Sequence, residues 1–174
     1  DGALCIWSDQ ELKERVAQAH QPGTPVYALA VVRNKYASAG ADGMLKLWDS
    51  TLSLLQSIEM QRFRVLIPAA ASLSWSANGK KLLVVARSGE MLEFAPDSDS
   101  SVLLDETHAN TKRGASEAHG LDAHPLNPDI YATTGDDATV RIWSISKRAC
   151  IQRSPPEILG GAACRCCAFA PTNG

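Results

Sequence analysis

A short phrase ending in tryptophan recurs along the chain, and it limits the fold more than any other feature. Asp1-Gly-Ala-Leu-Cys-Ile-Trp7 returns as Asp42-Gly-Met-Leu-Lys-Leu-Trp48 and as Asp137-Ala-Thr-Val-Arg-Ile-Trp143, with a weaker copy at Ser88-Gly-Glu-Met-Leu-Glu-Phe94. The four aromatics stand 41, 46 and 49 residues apart, near the roughly 40–45-residue period of a four-stranded repeat unit. Each phrase has one physical reading: an Asp-Gly or Asp-Ala pair turns the chain tightly, and an alternating strand follows. Leu4 and Ile6, Leu45 and Leu47, and Val140 and Ile142 then share one face. The aromatic shares the other with Cys5, Lys46 or Arg141.

Such a repeat makes an all-β protein, a β-propeller. Residues 1–20 read as the end of one blade, with a third strand at Ala3–Trp7 and an outer strand within Leu12–Gln18. A whole blade follows over 21–60, with strands at Val26–Val32, Tyr36–Ala39, Leu45–Trp48 and Leu54–Ile58. An atypical blade occupies 61–105, with strands at Ala71–Ser76, Lys81–Ala86, Met91–Phe94 and Val102–Leu104; its Ser-Ala-Asn-Gly is a hairpin turn. A third blade covers 106–155, with strands at Gly120–His124, Ile130–Thr134, Val140–Trp143 and near Ala149–Arg153. Residues 156–174 start another blade with a strand at Ala163–Phe169. Asp97–Ser101 and His108–Gly114 read as mobile polar loops. About three whole four-stranded blades and parts of two more make an open arc, because propellers close with about four to eight blades. The sequence therefore reads as an excerpt of a longer chain whose remaining blades cover its end faces.

A net charge of −2 and a pI near 6.1 argue against recruitment to nucleic acid or a membrane surface by bulk charge. The five cysteines form no disulfide-like framework and fit a reducing compartment. Cys164, Cys166 and Cys167 suggest a metal site, but adjacent strand residues face opposite ways, which favours small buried hydrophobes. His119 and His124, with Asp122 between them, fail as a ligand set for the same reason. Phosphate-cradling and dinucleotide-binding glycine motifs are missing. No cofactor or metal is expected.

His20, Ser38, Asp42 and Trp48 fall within one blade at positions where a buried indole and imidazole would need polar partners. A serine, histidine and aspartate also raise the question of a hydrolase, yet no Gly-x-Ser-x-Gly elbow presents the serine. The structural reading is the stronger one. The third blade offers Thr133, Asp137 and Trp143, but its histidine position falls near Gly114, so its set is expected to be incomplete. The atypical blade has Ser88 for the aspartate, Phe94 for the tryptophan, and Glu93 where the other copies carry an inward aliphatic. A buried carboxylate there needs a partner. Basic residues gather at Arg62 and Arg64, at Lys80, Lys81 and Arg87, and at Lys112 and Arg113. Of these, Lys80, Lys81, Lys112 and Arg113 are the candidate contacts for an acidic partner, because turns form a propeller's binding rims.

The phrases resemble WD repeats, in which such His, Ser/Thr, Asp and Trp residues bond to one another as a structural tetrad. More narrowly, Gly120-Leu-Asp-Ala-His-Pro125 with Ala132-Thr-Thr-Gly-Asp-Asp-Ala-Thr-Val-Arg-Ile-Trp143 resembles the echinoderm microtubule-associated protein-like (EMAP-like) family. So do Leu73-Ser-Trp-Ser-Ala-Asn-Gly79, the tetrad-less ending that contains Glu93, and the stretch from Asp1 to Tyr27. The likeness is nearest to the family's long members with tandem propellers; the family's hydrophobic motif and any coiled-coil segment are absent from this sequence. It implies a non-enzymatic scaffold that binds tubulin or microtubules, in the cytoplasm or the ciliary axoneme. The alternative is a WD-repeat adaptor in another multiprotein complex.

Overall fold

The computed structural model describes residues 2–104, 108 and 117–170. Fourteen strands are present among them. Strands β1 (Leu4–Ser8) and β2 (Glu11–Val16) pair as a hairpin. Three four-stranded antiparallel sheets follow in chain order. The second sheet has β3 (Val26–Val32), β4 (Lys35–Gly40), β5 (Met44–Trp48) and β6 (Leu54–Glu59). The third has β7 (Ala70–Trp75), β8 (Leu82–Ala86), β9 (Met91–Ala95) and β10 (Ser100–Leu104). The fourth has β11 (Ala118–Ala123), β12 (Ile130–Gly135), β13 (Val140–Ser144) and β14 (Ala149–Arg153).

Two irregularities recur and show how closely the sheets repeat. The register slips at the start of each first strand, between Val26 and Ala28, Ala70 and Ser72, and Ala118 and Gly120. It slips again just before each strand-ending tryptophan, at Ile6/Trp7, Leu47/Trp48 and Ile142/Trp143. Strands β9 and β10, where Phe94 replaces tryptophan, pair without a slip. Bulges of this kind add local twist and re-aim side chains, so the tryptophan rather than the strand alone accompanies the distortion.

The core lies between consecutive sheets. Leu4, Ala19, Trp48 and Leu52 join the first sheet to the second. Leu45, Leu47, Phe63, Leu73, Trp75 and Phe94 join the second to the third. Leu83, Met91, Leu121, Tyr131 and Trp143 join the third to the fourth. The aliphatic–aromatic alternation of the recurring phrase thus sends Leu45 and Leu47 toward the following sheet and Trp48 toward the preceding one. First strands obey a similar rule. Ala28 and Ala30 lie in the same cluster as Leu73 and Trp75 of the next sheet, small against large. The positions equivalent to Leu73 are Leu29 and Leu121. Leu73 and Leu121 are 5% and 9% exposed, whereas Leu29 is 55% exposed.

Two segments depart from the sequence reading. Asp97–Ser101 is cut short, because a 3-10 turn at Pro96–Ser98 delivers the chain into β10 at Ser100. Ala163–Phe169 forms no regular strand, since no second strand pairs with it among the described residues. It still runs beside β11. The Phe169 N–H donates to Asp122 at 2.7 Å, one sheet on from the Ala123 N–H that donates to Ser74 at 3.1 Å. Ser74 and Asp122 hold equivalent places in β7 and β11, so the segment follows the path of a next first strand. Of the expected His108–Gly114 loop only His108 lies within the described residues.

Candidate functional site

The second sheet carries a connected set of four polar side chains. His20 enters from the connection before β3, Ser38 projects from β4, Asp42 opens the turn into β5, and Trp48 ends β5. The His20 Nδ1–H donates to both Asp42 oxygens at 3.0 Å. Ser38 Oγ–H donates to His20 Nε2 at 2.7 Å, and Trp48 Nε1–H donates to Ser38 Oγ at 2.9 Å. This tautomer is the one that gives every atom a partner. Asp42 also accepts the Gln21 N–H at 2.9 Å and the Met44 N–H at 3.1 Å. Burial works to raise the Asp42 carboxyl, but these N–H donors and the His20 ring outweigh it and hold it below the usual carboxylate range.

Asp42, His20 and Ser38 are linked in the order of a hydrolase triad, yet the serine has no room to react. Ser38 is 0% exposed and His20 1% exposed, and the serine oxygen already receives the Trp48 indole. The chemistry this set performs is polar satisfaction inside a core.

The fourth sheet builds the same set, which corrects the expectation of an incomplete one. The missing member is His108, not a residue near Gly114. Its Nδ1–H donates to Asp137 at 2.8 Å, and Thr133 Oγ1–H donates to its Nε2 at 2.7 Å. Trp143 Nε1–H donates to Thr133 Oγ1 at 2.8 Å. Asp137 takes further bonds from Thr139 Oγ1 at 2.8 Å and Arg141 Nη2 at 2.7 Å. Burial again opposes ionisation, and His108, then Thr139 and Arg141, depress the carboxyl far below its ordinary value. The signal for His108 is a glycine. A Cβ on Gly40 would stand 2.7 Å from His20 Nδ1, and one on Gly135 would stand 3.0 Å from His108 Cγ. The equivalent residue in the third sheet is Ala86, and no imidazole packs there.

The third sheet fills that space with apolar groups. Phe63 comes from a 3-10 turn at Met60–Phe63 and meets Phe94 edge to face, 5.6 Å between ring centroids. Val84, fully buried, stands where Ser38 does. The turn is secured differently: Ser88 Oγ accepts the Ile67 N–H at 2.9 Å and Glu90 accepts the Leu66 N–H at 3.0 Å, while Ser88 itself donates to Glu90.

Of the four basic candidates, Lys80 and Lys81 lie among the described residues. Lys80 is exposed in the turn before β8. Lys81 Nζ lies 2.6 Å from Glu93, whose side chain is 7% exposed. Glu93 is therefore paired, with Lys81, whose side chain is 38% exposed, as its counter-ion. Lys112 and Arg113 fall outside the described residues. Among the cysteines, burial pushes the Cys167 thiol up to about 12, which keeps it a neutral hydrophobe. Among the described residues no group of three or more His, Cys, Asp or Glu is placed to hold a metal.

A cleft of about 480 Å³ is lined by the ends of β3, β7 and β11, from Leu29–Val32, Leu73–Trp75 and Leu121–Pro125. Taken together, antiparallel blades packed face to face in chain order define an all-β, β-propeller-like fold. No family model matches the sequence. Among solved structures, the crystal structure of the computationally designed Ika4 protein is similar over 88% of this chain and 83% of that one, with a TM-score of 0.66 and 19% identity. At that identity the likeness bears on the fold alone.

Proposed function

We propose that the chain belongs to a WD-repeat β-propeller of the EMAP-like kind and serves as a non-enzymatic scaffold on microtubules. One observation carries this reading: the order of the blades. A sheet with a complete His–Ser–Asp–Trp set comes first, an apolar sheet with a paired glutamate second, and a sheet with a complete His–Thr–Asp–Trp set third. The tetrad-less middle sheet with its glutamate is the part of this order that the sequence resemblance implies. The burial of Ser38, Thr133, His20 and His108 supports a structural role for the only serine- and threonine-histidine pairs found in these sets.

The same reading makes the array an open arc that further blades complete. Its support is the small-against-large rule. Leu29 and Val31 are each 55% exposed, on the face where Leu73 and Trp75 are covered by the preceding first strand. A further blade presenting alanine- or serine-sized residues fits there. Co-sedimentation of the intact protein with taxol-stabilised microtubules tests the function. The protein should pellet with them and be released as salt rises; protein left in the supernatant at low salt would refute the proposal.

A further inference from the structure

We propose that His119 is a pH-operated latch on the seam between the fourth sheet and residues 163–169. Neutral, it holds Arg165 of that segment; protonated, it releases Arg165 and turns to Asp136. Most of the segment is seated by backbone. Cys164 N–H donates to the Gly135 carbonyl at 3.1 Å, Phe169 N–H donates to Asp122, and a Cβ on Gly120 would stand 2.8 Å from the Cys167 nitrogen. Arg165 adds a side-chain tie at the near end. Its Nη1 lies 2.5 Å from His119 Nε2 and 3.5 Å from Asp136 Oδ1. The same Nε2 lies 3.1 Å from Asp136 Oδ1. These contacts compete. A guanidinium only donates and a carboxylate only accepts, so Nε2 either accepts from Arg165 or donates to Asp136. With Arg165 the nearer, the neutral ring keeps its proton on Nδ1, 4.0 Å from Glu117.

Charge balance gives the direction. Arg87 pairs with Glu117 at 3.3 Å while lying over the Tyr27 ring and donating to its hydroxyl. The guanidiniums of Arg87 and Arg165 therefore match the carboxylates of Glu117 and Asp136 while His119 is neutral. A proton on His119 leaves positive charge in excess and removes the lone pair that Arg165 uses. Arg165, 67% exposed against 16% for His119, is the cation free to leave for water. The docked seam thus binds fewer protons than the released one, and acidification favours release. Asp137, in the same turn as Asp136, is paired with His108 and Arg141. On the segment itself, the Cys164 thiol donates to the Cys166 carbonyl and the Cys167 thiol to that of Ala132. Asp122 and His124 lie at the far end, against Phe169. His124 Nδ1 accepts the N–H groups of Leu126 and Asn127 in its own turn and makes no bond to the segment, so it serves as the internal comparison. The inference is independent of the microtubule reading.

The test is hydrogen-exchange mass spectrometry of the intact protein, corrected for the pH dependence of intrinsic exchange. An imidazole ordinarily changes charge between about pH 5 and about pH 8. From about pH 7.5 to about pH 5.5, protection of the amides of residues 163–169 should fall about twofold to fivefold, the size an exposed charged contact sets. The amides of β8 (Leu82–Ala86) should hold level. In His119→Gln the amide oxygen accepts from Arg165 at every pH, so the fall should vanish. Arg165→Gln should show the lower protection throughout the range, and His124→Gln should keep the wild-type fall. Wild-type protection that stays level or rises on acidification overturns the inference. So does a fall that His119→Gln leaves intact, or one that β8 shares in equal measure.

Discussion

Replacing Asp42 with alanine isolates the energetics of the buried polar set. The carboxylate accepts from His20 and from the backbone N–H groups of Gln21 and Met44. Gln21 is exposed, so water replaces that bond at little net cost. The His20 ring is 1% exposed, and water does not reach its stranded donor. An unsatisfied buried donor costs about 1–3 kcal/mol, and each lost ordinary bond about 0.5–1.5 kcal/mol, so Asp42→Ala should destabilise by about 2–4 kcal/mol. Asp42→Asn keeps an acceptor for His20 and should lose about half as much. Urea denaturation followed by tryptophan fluorescence measures both. The pH dependence gives an independent check. The folded carboxyl titrates below its ordinary value, so its contribution is full above the unfolded pKa near ~4 and disappears as pH falls through the lower folded value. Wild type should therefore lose more stability on acidification than Asp42→Ala. An alanine variant within about 0.5 kcal/mol of wild type, or one with the same acid slope, would refute the reasoning.

His108→Ala should destabilise by about 1–3 kcal/mol, since Thr133 and Trp143 lose the end of their chain of bonds; thermal unfolding against His20→Ala makes the comparison. Phe63→Ala removes the ring that replaces an imidazole in the third sheet and should cost about 3–5 kcal/mol, read from the same urea transitions. Lys81→Ala leaves the buried Glu93 carboxylate without its cation; because Lys81 is 38% exposed, the expected loss is only about 1–3 kcal/mol. Glu93→Leu, which restores the aliphatic found at Leu47 and Ile142, should leave the melting temperature equal or higher.

The strands were legible because turn and period act locally: Asp42-Gly43 or Asn78-Gly79 marks a reversal, and alternation marks the faces. What stayed hidden was non-local. His108 stands 25 residues before Thr133, whereas His20 stands 18 before Ser38, so counting back from the aspartate lands in the wrong place. Gly135 marks it, but only once Gly40 is seen to make room for an imidazole. Phe63 arrives from a 3-10 turn with no periodicity to announce it. The partner of Lys81 is invisible until β8 and β9 are placed in register, with Leu83 opposite Glu93, which brings the carboxylate to its ammonium. Ala163–Phe169 alternates like a strand, but a strand becomes regular only when a neighbour takes up its N–H and carbonyl groups.

The central claim is that two separated tryptophans are held by matching histidine-ordered sets, and the indole N–H protons report it directly. Four indole signals are available in a ¹⁵N-edited spectrum, from Trp7, Trp48, Trp75 and Trp143. Trp48 and Trp143 donate to the buried Ser38 and Thr133, while Trp7 is 63% exposed. Hydrogen exchange should therefore be slow for Trp48 and Trp143 and fast for Trp7, with His108→Ala releasing Trp143 and leaving Trp48 protected. A Trp143 indole that exchanges as fast as Trp7, or one that His108→Ala leaves untouched, would contradict the account.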